Sequence, residues 1–263
     1  MDLKLTGKTA LISGSTKGIG FASANVLAAE GCRVIINGRT DSAVEEAIGR
    51  IRSHAPKADL QGFAADLATA EGAAAIVEAF PSVDILINNV GIFERKPFDQ
   101  TPDEDWQRFF DVNVMSGVRL SRAYLPGMKQ RNWGRIIFIS SESAIQIPHD
   151  MVHYGMTKTA QLAISRGLAE GCVGTGVTVN AVLPGPTLTE GNKAGIARRA
   201  PGRPFAEVEK EFFQVMRPTS LLKRYAQPEE VAPLIAYVCS PLSTATNGAA
   251  LRVEGGVVKA CFG

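Results

Sequence analysis

Short runs of apolar and β-branched residues alternate along the chain with longer stretches whose apolar residues recur at helical spacing. The runs at 9–13, 33–37, 60–64, 84–88, 135–140, 177–182 and 249–253 predict strands. Several of them are apolar at every position, as strands covered on both faces must be. Helices are predicted at 18–30, 42–54, 70–79, 103–130, 154–171 and 228–240, with Pro102 and Pro228 marking two of the starts. This alternation predicts an α/β fold, a doubly wound parallel sheet of about seven strands with helices on both faces. Right-handed crossovers then put any ligand at the carboxyl ends of the strands. With no repeat and no low-complexity linker, residues 1–263 read as one domain.

One connection is too long for this pattern. Between the last apolar run before 183 and the helix at 228 lie about forty residues, where an αβ unit uses about 2–6. The stretch mixes Gly, Pro, Arg and aromatic residues and must contain helical pieces of its own. A lid or substrate wall over about 187–226 is one reading, and an excursion used in packing between copies is the other.

Composition narrows the class without naming a function. Hydrophobic residues make up 45% and charged residues 21% of 263, and the net charge of +2 gives no basic stripe for nucleic acid. Arg198, Arg199 and Arg203 form the one basic cluster, read as a solvated helix face. No apolar run reaches membrane length, and the N-terminus lacks a signal peptide's apolar stretch. The four cysteines have no metal-ligand spacing. A soluble, cytoplasmic protein is expected, binding neither membrane nor metal.

Chemistry enters at the first strand. Ser13, Gly14, Ser15, Thr16, Lys17, Gly18, Ile19 and Gly20 follow it directly and open the first helix. Glycines at 14, 18 and 20 allow a tight turn and close approach of backbone to a pyrophosphate, which the helix N-terminus attracts. This is the dinucleotide site of a Rossmann-type sheet. The second strand ends Asn37-Gly38-Arg39-Thr40, without the acid that would hold a ribose 2′-hydroxyl. Arg39 and Lys17 offer positive charge to a 2′-phosphate instead, which favours NADP(H). NAD(H) stays open if Asp41 reaches the ribose while Arg39 stacks on adenine.

Tyr154 and Lys158 stand at i and i+4 on one helix face. A tyrosine of ordinary pKa is a slow acid and a poor base near neutrality, and an ammonium beside it favours the phenolate. Ser141 ends the apolar run 136–139, at the tip of a strand, from which its hydroxyl would meet the phenol across a substrate oxygen.

Taken together, these motifs resemble the short-chain dehydrogenase/reductase family over essentially the whole chain. The glycine turn, the segment Asn88-Asn89-Val90-Gly91, Asn113, Ser141, Tyr154, Lys158 and the segment Pro184-Gly185 with Thr187 and Thr189 match its motifs in order. Asp66-Leu67 resembles its adenine-contacting pair. The resemblance implies that Tyr154 exchanges a proton with the substrate oxygen, and that Lys158 holds the nicotinamide ribose and lowers the tyrosine pKa. Ser141 would hydrogen-bond the substrate oxygen, and Asn113 would hold a relay water near Lys158. Asn89, Gly91 and Ile19 would line the cofactor. Ser13 stands where Thr is usual and Val90 where Ala is usual. Relatives are typically homotetramers, joined through the helices at 103–130 and 154–171 and the C-terminal region. The apolar tail 257–262 suits such an interface.

The substrate should meet residues between Ser141 and Tyr154, among them Ser143, Ile147, His149, Met151 and His153, together with Phe93 and Phe205 or Phe212. The two histidines read equally as solvent-facing loop residues, and Glu142 as a substrate contact or an outward-facing carboxylate. The expected reaction interconverts a ketone or aldehyde and an alcohol. A 3-oxoacyl-(acyl-carrier-protein) reductase is the alternative: Arg131 and Arg135 lie near the place for an acidic partner, but Thr175 stands where such reductases carry Arg.

Overall fold

The computed structural model describes residues 2–261. Its strands and helices follow in chain order: β1 (Thr9–Ile12), α1 (Gly18–Ala29), β2 (Arg33–Gly38), α2 (Asp41–His54), β3 (Leu60–Ala64), α3 (Ala70–Ala79), β4 (Ile85–Asn88), α4 (Asp103–Phe110), α5 (Ser116–Gln130), β5 (Gly134–Ile139), α6 (Val152–Glu170), β6 (Val177–Pro184), α7 (Glu190–Arg199), α8 (Phe205–Val215), α9 (Pro228–Cys239) and β7 (Ala250–Val253). The strands form one seven-stranded parallel sheet in the order β3-β2-β1-β4-β5-β6-β7. Chain order reverses between β1 and β4, which opens a crevice at their carboxyl ends.

Alternation along each strand builds two cores. Ala10, Ile12, Val34, Ile36, Ile85, Ile87, Ile137 and Ile139 face α1, α2 and α9. Leu11, Ile35, Leu86, Ile136 and Phe138 face the other way, onto Ile76 of α3 and Leu120, Tyr124 and Met128 of α5. The helix α9 starts on a capping box, Gln227 and Glu230, with Pro228 in its first turn.

Three sequence expectations change. The helix expected at 103–130 is broken by a wide π-turn, Asp111–Met115. There the side chain of Asn113 leaves the helix to bond main-chain groups of Ile92. The strand expected to stop at 182 runs on to Pro184, because β7 pairs with it there. In the tail, Val257 and Val258 are buried within the chain, where both N–H groups donate to the Glu254 carboxylate, so they offer no free interface. Phe262 lies outside the described residues.

Arg135 is a further correction. Its guanidinium is only 1% exposed and donates to the carbonyls of Gly134, Gly176 and Ser240 and to Thr244 Oγ1, at 2.8–3.3 Å. It lies 4.7 Å from the centroid of the Trp133 ring. It is a clamp under the sheet, with no acidic partner among the described residues. Arg135→Met should therefore lower stability in chemical denaturation by about 2–4 kcal/mol, because three buried carbonyls lose a charged donor.

Candidate active site

A cavity of about 860 Å³ opens at the carboxyl ends of the strands. Its near wall is the turn from β1 into α1. Gly14 (φ +63°) and Gly18 (φ +57°) adopt left-handed backbone there. Gly14 N donates to Asn37 Oδ1 at 3.0 Å, which ties the turn to β2. A Cβ at Gly20 would fall 2.5 Å from both Asn89 Nδ2 and Gly14 O, so only glycine lets α1 approach the turn this closely. Ser13 Oγ accepts the N–H groups of Asn89 (2.8 Å) and Val90 (3.0 Å), joining the first turn to the one after β4.

Gly14, Thr16, Lys17, Gly18, Ile19, Arg39, Asp66, Leu67, Asn89, Gly91, Pro184, Gly185, Thr187 and Thr189 all line the cavity. Neither Lys17 nor Arg39 has an ion-pair partner among the described residues. The glycine cradle, the N-terminal end of α1 (where Gly18 N–H donates to Glu190) and these two cations fit a dinucleotide. Ser15 and Gly20 are different. Ser15 Oγ bonds Ile12 O and Asn37 N beneath the turn, so both residues shape the cradle without lining it.

On the far wall stand Ser141, Tyr154 and Lys158. Ser141 stands two residues past the end of β5, after Ser140, and Tyr154 and Lys158 share one face of α6. Asn113 lies behind them, fully buried. Its Oδ1 accepts Ile92 N at 2.7 Å, and its Nδ2 donates to Ile92 O and Thr157 Oγ1, both at 3.0 Å. Lys158 Nζ donates to Ile139 O at 2.9 Å and to Gln161 Oε1 at 3.3 Å.

Electrostatics run against the expectation of a depressed tyrosine. Burial pushes the Tyr154 phenol well above its ordinary range; Ser141 pulls it down, Glu142 raises it and Arg217 lowers it. Burial also pulls the Lys158 ammonium down to about 7. Lys158 Nζ is drawn toward β5 and stands 5.7 Å from the Tyr154 ring centroid, so desolvation outweighs its attraction for a phenolate.

The substrate end is partly as expected. Ser143, Met151, Phe93 and Phe212 line the cavity. His149 and Ile147 sit on the exposed loop before α6, Ile147 covering Gly155. His153 points into the protein, with its ring 4.4 Å from that of Phe109, and burial lowers its pKa. One residue along a helix turns a side chain by about 100°, so His153 cannot share the cavity face of Tyr154.

Glu142 is neither a free contact nor outward-facing. Its Oε2 accepts Ser141 Oγ at 2.5 Å, and its Oε1 accepts Arg217 Nε at 3.0 Å and Nη2 at 2.9 Å, with both side chains buried. Arg217 escaped the sequence reading because its partner is 75 residues away. Glu190 escaped it too: it opens α7 and accepts Gly18 N at 3.0 Å, so the long connection starts against the end of α1. No cluster of metal-ligating side chains occurs, and no helix is long and apolar enough to cross a membrane, among the described residues.

A family model described as enoyl-(acyl carrier protein) reductase matches residues 14–258. An uncharacterized oxidoreductase of Bacillus subtilis, YvaG, is 50% identical, with both chains covered in full. A D-beta-hydroxybutyrate dehydrogenase of Cupriavidus necator is 31% identical over 97% of this chain and 99% of its own. The crystal structure of L-sorbose reductase from Gluconobacter frateurii, complexed with NADPH and L-sorbose, superposes with a TM-score of 0.92 at 32% identity, covering 99% of this chain and 100% of that one.

The buried lysine predicts a pH signature. Its folded pKa (about 7) lies below its ordinary value of 10.5, so between these values the unfolded chain binds the extra proton and stability rises with pH. Lys158→Met should remove that slope. Its thermal midpoint should exceed that of the unmodified chain by at least ~4 °C at pH 6, and the gain should fade toward pH 10.

Proposed function

This chain belongs to the short-chain dehydrogenase/reductase family of NAD(P)-dependent oxidoreductases, and we propose that it interconverts a small ketone or aldehyde and the corresponding alcohol with NADP(H). The observation that carries this reading is the convergence of Ser141, Tyr154 and Lys158 on one cavity wall, opposite a glycine cradle flanked by Lys17 and Arg39. The dinucleotide, when bound, supplies or takes the hydride.

The chain's own groups do the rest. Tyr154 donates its phenolic proton to the carbonyl oxygen in reduction and takes one from the alcohol in oxidation. Its raised pKa in this structure keeps it protonated, the state that reduction uses. Ser141, whose hydroxyl hydrogen goes to Glu142 in this structure, would turn it to the same oxygen and so offset the charge that grows there. Lys158 presents its ammonium to the cavity beside Gly91, where the nicotinamide ribose would rest, and Asn113 fixes the backbone of Ile92 beside it. Asp66 and Leu67 hold the adenine side, and Thr187 and Thr189 the nicotinamide side. Helices α7 and α8 act as the lid, with Phe212 and Phe93 as apolar walls.

A small substrate fits better than a carrier-linked one. Arg135 is buried, and Thr175 offers no cation beside it. Relatives that act on D-beta-hydroxybutyrate and L-sorbose point the same way. Phe98 and Phe110, exposed on and beside α4, support contacts between copies in a homotetramer. Four free thiols suit the reducing cytoplasm.

Turnover followed at 340 nm with a panel of small ketones and sugars tests the reading. Tyr154→Phe should cost about 10³-fold in kcat while leaving cofactor affinity close to unchanged. Tight cofactor binding with no turnover on any carbonyl or alcohol would overturn it. Arg39→Ala should weaken NADPH about tenfold or more in a fluorescence titration and leave NADH unchanged.

A further inference from the structure

We propose that Gln161 is a positioning residue for this reaction, its side-chain amide bridging Lys158 to the π-turn and aiming the ammonium at the cavity wall. Gln161 lies one helical turn after Lys158, on the same face of α6. It is 1% exposed, in a place where an apolar residue would cost no desolvation. Both ends of its amide are used. Nε2 donates to the main-chain carbonyl of Asn113 at 2.6 Å, and Oε1 accepts Lys158 Nζ at 3.3 Å.

Among the described residues Lys158 has no carboxylate partner. An ammonium has three donors, and two of them go inward to neutral oxygens, Ile139 O and Gln161 Oε1. A Cβ at Gly91 would fall 3.4 Å from Nζ, so the remaining direction leads to the cavity. The two inward acceptors therefore fix where the outward donor points. Asn113 uses its side chain to bond Ile92 and Thr157 rather than Lys158. Its link to Lys158 passes through Gln161, where the family resemblance leads one to expect a water.

The groups facing Lys158 are few. Tyr154 is on its own helix, β5 faces it with the Ile139 carbonyl, the π-turn is linked to it through Gln161, and Glu142 and Arg217 act on Tyr154 from the turn after β5 and from the lid. Removing the amide oxygen should thus register on the lysine directly.

The test uses full-length protein labelled with 13C at lysine Cε, with the Lys158 signal assigned by its loss in Lys158→Met. The unmodified chain should titrate near 7. Gln161→Leu should titrate about one unit lower, having lost a hydrogen bond to a charged group, and Gln161→Glu about one unit or more higher. With a ketone substrate and NADPH, Gln161→Leu should lower kcat about tenfold at pH 7 and move the Lys158 limb of the pH profile in the same sense, with the KM for substrate little changed. Gln161→Glu keeps the acceptor for Lys158 but loses the Nε2 donor to the Asn113 carbonyl, so it should not restore kcat. An unmoved titration in folded Gln161→Leu overturns the proposal. If that variant does not fold, an unmoved titration in Gln161→Glu overturns it. The kinetic arm rests on the oxidoreductase reading above, whereas the titration does not: a chain that turns over no substrate but shows both shifts fails that reading and keeps this one.

Discussion

Lys158 is buried against neutral partners, and the architecture around it can be read as the means of keeping a cation there. Desolvation alone would drive the side chain out or strip its proton. The end of β5 supplies one carbonyl oxygen, and the amide of Gln161 supplies another. Ser140 bonds the Lys158 carbonyl and fixes the helix turn that carries it. The π-turn between α4 and α5 brings the Asn113 carbonyl within reach of Gln161. A carboxylate in place of these dipoles would hold the ammonium more strongly, but it would also hold its charge and direction against any ligand. Neutral acceptors leave the lysine able to respond.

The second organising contact joins the lid to the serine. Glu142 follows Ser141 in sequence, and its buried carboxylate is paired with Arg217. Breaking such a pair strands a buried charge, at a cost of about 3–5 kcal/mol. The segment after α8 is therefore anchored to the residue beside Ser141, while Glu190 anchors the start of α7 at the glycine turn. The long connection is held at both ends by side chains that touch the two halves of the site. Its interior rests on a small cluster, Ile196, Phe213 and Tyr225.

What was legible in the sequence had a local cause. Strands such as Ile85–Asn88 announce themselves by their apolar run, and the glycine turn by glycines at a left-handed φ that other residues rarely adopt. The stretch of α6 from Tyr154 to Lys158 is one helical step. What was missed depends on partners far along the chain. The Glu142–Arg217 pair spans 75 positions, the Gly18–Glu190 bond spans 172, and Arg135 looks like any surface arginine until Ser240 closes over it. His153 was misplaced for a different reason: adjacency to Tyr154 in sequence suggests a shared pocket, while helix geometry forbids it. The tyrosine pKa was expected to follow its lysine neighbour, but burial is a property of the whole fold.

The wide turn at Asp111–Met115 has one more consequence. A π-turn holds one more residue than the α-helical turn it replaces, so it works as a phase shift of about 100° between α4 and α5. Upstream of it, Phe109 can face His153 on α6; downstream, Leu120 and Met128 can face the sheet. An unbroken helix of the same sequence could satisfy only one of those two phases. Loss of a single residue here would leave two sound helices, out of step with each other.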